Sequence, residues 1–150
     1  MSLKPWVWKS MVAGLCGTLA HSGLMYFKSR TGLLAGFQPY ASLQTTIRSL
    51  TGANVPSIVP WALSFLNGMT VLGLLFGRLF RMLPGSNGAM KGLSFGVLAW
   101  AIMGLLFFPM IGLGLFATSI ELGLAPAAFS LAMILTYSVV MGVVYAWLDR

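Results

Sequence analysis

A long uncharged stretch constrains this chain more than any other feature. From Gly92 to Ile120 the sequence reads GLSFGVLAWAIMGLLFFPMIGLGLFATSI and contains no Asp, Glu, Lys or Arg. About 20 apolar residues in a helix cross the hydrocarbon core of a bilayer, so this stretch is longer than one membrane span requires. Pro109 and the glycines that follow it interrupt the helical pattern. We therefore predict a spanning helix over residues 92–108, followed by an irregular segment over residues 109–118 near the membrane surface.

The composition indicates the same class for the whole chain. Hydrophobic residues make up 58% of it and charged residues only 7%, whereas soluble domains carry about 25% charged residues. Nine Lys and Arg against two acidic residues give a net charge of +7, and the cations stand singly or in pairs between apolar runs. That distribution is typical of topology signals and of contacts with anionic lipid, not of a nucleic-acid interface. We expect a single integral membrane domain over residues 1–150, with membrane lipid as a partner and no nucleic acid.

Three further apolar runs complete the predicted all-α fold of four transmembrane helices. They cover residues 10–27, 57–77 and 124–147, and Lys, Arg, Trp or Tyr side chains border them, as at the ends of spans. The first run follows MSLKPWVWK, which a signal peptide would also explain, but the run continues beyond the short apolar core of such peptides. The short turn LPGSNG joins the second and third spans, which we therefore expect to be antiparallel neighbours.

One segment between the first and second spans has a different pattern. Over residues 39–51 an apolar side chain recurs every third or fourth position, namely Tyr40, Leu43, Ile47 and Leu50. Polar side chains fall on the opposite side, and Pro39 and Gly52 suit the first turn and the end of a helix. We predict a short amphipathic helix that lies in the membrane interface; a loop packed over the bundle is the alternative.

The distribution of cations predicts the orientation. Four spans place both termini on one side of the membrane, together with the loop between the second and third spans. That side carries Lys4, Lys9, Arg78, Arg81, Lys91 and Arg150, and the other side carries Lys28, Arg30 and Arg48. Because cytoplasmic segments are enriched in Lys and Arg, this bias favours cytoplasmic termini.

Two short sequence matches suggest two repeated helical hairpins of the same orientation. GTLAH from Gly17 matches GVLAW from Gly96, and PWALS from Pro60 matches PAAFS from Pro126. Hairpins related in this way lie around an axis along the membrane normal. Chance matches within an apolar alphabet are the alternative.

Small residues recur on several spans at a spacing that lets helices approach closely. We expect them to form packing faces, both within the bundle and against other membrane proteins. They are Gly73 and Gly77 in the second span, Gly92, Gly96 and Gly104 in the third, and Ser138 and Gly142 in the fourth.

His21 is the first candidate for a functional side chain, because ionisable groups deep in a span are rare and tend to face a cavity or a partner. The sequence leaves three roles open. In the first, His21 is a neutral side chain that is hydrogen-bonded to a neighbouring helix. In the second, it belongs to a polar solute or proton site with Thr18 and Ser22. In the third, it is a haem ligand together with Met25.

Asn67 is the other uncommon polar group, near the middle of the second span. A buried amide in hydrocarbon seeks a partner across a helix interface, so we expect Asn67 to hold helices together. A pairing with His21, or with Thr136 and Tyr137 of the fourth span, would join these residues in one polar site.

Several kinds of site are missing from the sequence. It shows no paired carboxylates, no nucleophile with a nearby base, no phosphate-binding loop and no cluster of metal ligands. We therefore expect no enzymatic activity, no metal site and no cofactor apart from the haem considered for His21.

Three segments resemble a known family. AGLCGTLAH in the first span, PGSNGAMKGLSFGVLAW across the second turn and third span, and FFPMIGLGLF after it are similar to small four-span bacterial membrane proteins grouped as a family of unknown function. The resemblance covers most of the chain and implies a four-span fold in a bacterial inner membrane. It implies no functional residue, because the family has no assigned activity.

These observations favour a non-catalytic accessory, structural or assembly subunit of a larger membrane complex, which binds other subunits or forms a homo-oligomer. A small-solute or ion transporter that works as an oligomer, built around His21, Asn67 and the irregular segment, is the alternative. A haem-binding membrane subunit is the third hypothesis.

Overall fold

The computed structural model describes residues 4–150, and every regular element in that range is helical. The all-α prediction is therefore confirmed. The long helices are α1 (Pro5–Thr31), α2 (Pro39–Thr51), α3 (Ile58–Leu79), α4 (Gly88–Met110) and α5 (Ala125–Leu148). A short 3-10 helix, Leu115–Ile120, lies between α4 and α5. Residues 1–3 of the predicted N-terminal flank lie outside the described residues.

Three of these helices, α3, α4 and α5, are long and apolar enough to cross a membrane. They overlap the runs predicted to span at residues 57–77, 92–108 and 124–147. With 27 residues α1 is longer than any of them, but its histidine, lysine and hydroxyl side chains make it less apolar. Length and composition thus support three spans, whereas the sequence predicts four.

The ends of α1 and α2 follow local sequence signals. Pro5 and Pro39 occupy their first turns, where the missing N–H and the fixed φ of proline fit. Gly32 and Gly52 follow their last turns with left-handed φ values of 67° and 66°. A helix therefore occupies the range in which the sequence predicts the amphipathic helix. Its position at the membrane surface stays a prediction.

Both α3 and α4 contain a π-helical turn that we did not predict. These turns cover Gly68–Leu72 in α3 and Met103–Phe107 in α4. A π turn accommodates an extra residue without ending the helix, and it rotates the residues beyond it around the helix axis. The residues that face other helices therefore differ from those on an uninterrupted α-helix.

The long helices form an antiparallel bundle in which α1 contacts both α3 and α5, and α4 contacts α5. Gly14 of α1 lies against Gly73 of α3, close to the middle of that contact. An ion pair between Lys9 and Asp149, with Nζ and Oδ1 2.9 Å apart, brings the two ends of the described chain together. We refer to this end of the bundle as the terminal end.

Two aromatic-rich cores lie at opposite ends of the bundle. At the terminal end the buried ring of Phe76 makes edge contacts with Phe80, Phe95 and Tyr145, at centroid distances between 5.2 and 5.8 Å. This cluster joins α3, α4 and α5. The core at the other end consists of Phe37, Phe108, Ile111, Leu113 and Ala117.

An irregular segment follows α4, in the region that the sequence predicts over residues 109–118. Within it Phe116 and Ala117 adopt left-handed φ values of 50° and 62°, which are unfavourable for residues other than glycine. The Phe116 ring fills the space beside Gly104 and packs on Trp100 with ring centroids 4.7 Å apart. These contacts attach the irregular segment to α4.

Candidate functional site

Two predicted packing residues of α3 lie directly against α1. A Cβ atom on Gly73 would approach the Ser10 carbonyl oxygen to 2.8 Å, and a Cβ atom on Gly77 would overlap the Ser10 hydroxyl. Real Cβ atoms require more space, so only glycine fits at this contact. The backbones of α1 and α3 are therefore in close contact along this seam.

A second seam joins α4 to α5 in the same way. A Cβ atom on Gly92 would overlap the Ser138 carbonyl oxygen, and one on Gly142 would overlap the Gly88 carbonyl oxygen. Gly96 faces the side chain of Ser138 across the same contact. The structure therefore places these predicted packing residues inside the bundle, in close contact with other helices of the same chain.

His21 lies in a polar cluster with side chains from two other helices. The Tyr40 hydroxyl of α2 donates to Ser64 Oγ of α3 at 2.9 Å and lies 3.5 Å from His21 Nε2. The distance to His21 is longer than an ordinary hydrogen bond, whereas the distance to Ser64 is typical of one. The Tyr40 ring also packs on Trp61, with ring centroids 4.6 Å apart. We call His21, Tyr40 and Ser64 the hydroxyl cluster.

Tyr40 and Ser64 were not among the predicted site residues. The sequence pattern places Tyr40 only on the apolar face of the amphipathic helix, yet tyrosine carries a hydroxyl that seeks a partner when the ring is buried. Burial raises the pKa of the Tyr40 hydroxyl, so it remains a protonated donor at neutral pH. A tyrosine in the first turn of an amphipathic helix is thus the signal that could have identified this contact.

Two other predicted site residues, Tyr137 and Thr18, both contact the backbone of α3 at Gly68. The Tyr137 hydroxyl donates to the Gly68 carbonyl oxygen at 2.7 Å, and the Thr18 side chain packs on the same glycine. Thr18 Oγ1 also donates to the Gly14 carbonyl oxygen at 2.8 Å. Because Gly68 begins the π turn of α3, these contacts hold that turn in place.

Ser22 and Met25 complete the predicted surroundings of His21. Ser22 Oγ is buried and lacks a hydrogen-bond partner within residues 4–150, and Met25 is buried one helical turn beyond His21. Axial haem ligands approach the iron from opposite sides, whereas neighbours on one helix face point to the same side. An iron at His21 Nε2 would also displace the Tyr40 hydroxyl. Haem binding stays a prediction that absorbance near the Soret band tests, and this geometry does not favour it.

Asn67 occupies a different part of the molecule from the hydroxyl cluster. Its side chain is exposed near the middle of α3, on an outward stripe with Leu63, Val71 and Leu75. The structure therefore does not bring Asn67 together with His21 or Tyr137 in one buried polar site. Thr136, the other suggested partner, donates its hydroxyl to the Ala132 carbonyl oxygen of its own helix.

A polar contact between α4 and α5 lies in the other half of the bundle. The Trp100 indole N–H is 3.1 Å from Ser130 Oγ and 3.2 Å from the Ala127 carbonyl oxygen. The hydroxyl of Ser130 in turn donates to the Ala127 carbonyl oxygen at 2.9 Å. The half-buried indole N–H is thus satisfied by groups of α5.

Comparison with known proteins identifies the chain only at the level of a family. No curated protein and no solved structure matches it. A family model does match, over residues 6–150, and it confirms the resemblance seen in the glycine and proline pattern of the spans. The chain belongs to DUF6789, a family of unknown function.

Proposed function

We propose that this protein is a non-catalytic, four-span membrane protein that acts as an accessory or assembly subunit and binds another membrane helix through the outward face of α3. The observation that carries this proposal is the exposed Asn67 amide halfway along a helix long enough to span a membrane. A primary amide that faces hydrocarbon is left without hydrogen bonds, which costs free energy. A partner helix with a polar group at the same depth would remove that cost.

In this proposal α1 is the fourth membrane-spanning helix. Its polar residues Ser10 and Thr18 are buried against other helices, and His21 lies beside the Tyr40 hydroxyl in the hydroxyl cluster. A helix whose polar groups point into a bundle crosses a membrane with lower overall hydropathy than a helix surrounded by lipid. Near the other end of α1 the exposed Arg30 suits the headgroup region.

The location that goes with this proposal is a bacterial inner membrane, with the terminal end in the cytoplasm. The excess of Lys and Arg on that side supports the orientation. Arg78 and Arg81 are exposed there and suit contacts with anionic lipid headgroups. Single cysteines placed in the loop after α3 should react with membrane-impermeant reagents only after the cell membrane is opened.

Purification from native membranes in mild detergent tests the accessory role. We expect a stoichiometric membrane-protein partner, which Asn67→Leu releases because leucine offers no hydrogen bond. Thr70→Val is the matched control, since the Thr70 hydroxyl already donates to the Leu66 carbonyl oxygen of its own helix. A wild-type protein that runs as a monomer at every loading would contradict the proposal.

A second candidate function is a proton or small-solute site at the hydroxyl cluster. In the suggested hairpin repeat His21 corresponds to Trp100 and Ser64 to Ser130. Trp100 reaches Ser130 directly, whereas the Tyr40 hydroxyl from α2 lies between His21 and Ser64. This difference between the two halves of the bundle supports a special role for the cluster.

Proton flux into liposomes with an internal pH-sensitive dye tests this second candidate. We expect flux in the wild-type protein and its loss in the double variant Tyr40→Phe with Ser64→Ala. Tyr26→Phe serves as the control, because the Tyr26 side chain is exposed. Flux that persists in the double variant, or an impermeable wild-type protein, would rule out a proton path through the cluster.

A further inference from the structure

We infer that the partner bound at Asn67 is a second copy of this chain, held by a symmetric contact between two α3 helices. This inference rests on the proposed function, because it identifies the partner of the same surface. The structure supports it through the shape of the stripe, the chemistry of the amide and the depth at which the amide lies.

The contact surface is a continuous stripe along α3. Leu63, Val71 and Leu75 are 42%, 60% and 45% exposed, and Asn67 is also exposed between Leu63 and Val71. A step of four residues in an α-helix rotates such a stripe by about 40°, so it would soon turn away from a straight partner. The wider π turn at Gly68–Leu72 offsets part of that rotation, because each of its residues turns the helix by less than an α-helical residue does.

The side chains of this stripe suit packing between helices without any close backbone approach. Both glycine seams of the molecule are occupied within the bundle, so a second copy cannot use them. Branched apolar side chains at four-residue spacing instead interdigitate with the same side chains of a facing helix. A stripe that is apolar at both ends with one polar group between them is also the pattern by which a single asparagine fixes the register of paired helices.

The Asn67 amide is complementary to itself. Its NH2 group donates and its carbonyl oxygen accepts, so two copies form a reciprocal pair across a twofold axis. A helix with only a donor or only an acceptor would leave part of the amide without a partner. The chemistry therefore favours a second Asn67 over a lysine on another protein, because an ammonium group only donates.

Depth gives an independent reason. Two copies of one chain inserted in the same orientation place their Asn67 side chains at the same distance from the membrane surface. A different protein would satisfy this condition only with a polar group at that depth in one of its own spans. A twofold axis along the membrane normal satisfies it automatically.

Disulfide crosslinking in native membranes tests the inference. The full chain carries Cys16→Ala, which removes its single cysteine, and one new cysteine at Val71. Disulfides require Cα atoms roughly 4.4–6.8 Å apart, so mild oxidation reports close approach of the two stripes. We expect a product of twice the 16.1 kDa chain mass from Val71→Cys. Leu98→Cys on α4 is the control, because Leu98 has a similar exposure of 57% and lies outside the stripe.

The amide itself is tested by a second substitution in the crosslinking background. Asn67→Leu should lower the association constant about 3- to 30-fold, the range expected for one interhelical hydrogen-bonded contact in a membrane. Asn67→Gln should restore most of the association, because glutamine keeps both the donor and the acceptor. Both substitutions lie on an exposed position, and thermal unfolding of the detergent-solubilised protein should therefore be unchanged.

The outcomes separate this inference from the proposed function. A Val71-dependent crosslink to a different protein would overturn the homodimer and leave the accessory role standing. Absence of any crosslink between copies along the stripe, at Leu63, Val71 and Leu75, would overturn the homodimer, whereas the accessory role is overturned by a wild-type protein that purifies alone as a monomer. A homodimer that forms equally well with Asn67→Leu would overturn the role of the amide.

Discussion

The Tyr137 hydroxyl donates a 2.7 Å hydrogen bond to the Gly68 carbonyl oxygen and so links α5 to the π turn of α3. The same carbonyl accepts from the Gly73 N–H, five residues along the chain, as a π turn requires. The Gly68 carbonyl oxygen therefore connects the π turn of α3 to α5. The Tyr137 hydroxyl thus stabilises irregular backbone as well as joining two helices.

Tyr137→Phe should destabilise the protein while leaving its fold intact. The substitution removes the hydroxyl but keeps the ring that packs beside Gly17. We expect a loss of about 0.6 to 2 kcal/mol in the free energy of unfolding, as for interhelical hydrogen bonds in membranes. Thermal or denaturant unfolding in detergent measures it. Tyr26→Phe, which changes an exposed tyrosine, should have no effect, and equal stability of the two variants would contradict the prediction.

Gly92→Ala should disturb the seam between α4 and α5. The new methyl group would overlap the Ser138 carbonyl oxygen and press on the backbone of Val139, so the two helices must move apart. Overpacking of this kind costs about 1–3 kcal/mol. Gly23→Ala is the matched control, because nothing lies within 4 Å of a Cβ atom at that position of α1. We expect unchanged or slightly higher stability for the control, since alanine favours a helix over glycine. A Gly92→Ala protein as stable as the wild type would show that the seam is looser than the structure indicates.

Removal of either hydroxyl that joins α2 to α3 should loosen α2 without unfolding the spans. Tyr40→Phe and Ser64→Ala each break the 2.9 Å hydrogen bond between these residues. We expect each variant to lose about 1 kcal/mol of local stability, and the double variant to lose little more than either single one. Hydrogen exchange of the amides in Pro39–Thr51 measures this, and α5 provides the internal reference. Additive losses would mean that the two hydroxyls act independently.

The docking of α2 should depend on pH in the alkaline range. Burial raises the pKa of Tyr40 above its ordinary value of 10.0, so the folded protein holds this proton more tightly than the unfolded chain. The stabilisation is therefore complete below a pH of about 10 and is lost as the pH rises through the raised pKa. Hydrogen exchange in α2 should be faster in that range in the wild type, and Tyr40→Phe should remove this part of the pH dependence. If hydrogen exchange in α2 becomes faster at alkaline pH to the same extent in the wild type and in Tyr40→Phe, a group other than Tyr40 causes the pH dependence.

Local sequence signals were enough to predict much of the bundle. Uncharged runs indicated the long helices, and Pro39 with Gly52 marked α2, because these features depend only on nearby residues. The spacing of Gly92 and Gly96 indicated a close packing face for a similar reason, since four residues return to the same side of a helix. What the sequence did not reveal was which helix would lie against that face.

The arrangement of the polar residues depended on features without a local signal. The π turn at Gly68 changes the direction in which the following residues of α3 point, and no pattern in the sequence predicts a π turn there. Tyr40 reaches Ser64 only because α2 folds back over the bundle, which is a tertiary contact between distant residues. The sequence therefore leaves open whether His21 and Asn67 share one polar site, and the structure has a hydroxyl cluster and a separate exposed amide.

The glycine seams also limit how this protein can move. The backbones of α4 and α5 are in direct contact at Gly88 and Gly142. If one helix slid along the other by one residue, a Cβ atom would overlap the backbone of the neighbouring helix. Rearrangement by sliding is therefore blocked along the α1–α3 and α4–α5 contacts. We therefore expect any rearrangement to involve α2 and the irregular segment after α4, which meet at the end of the molecule opposite its termini.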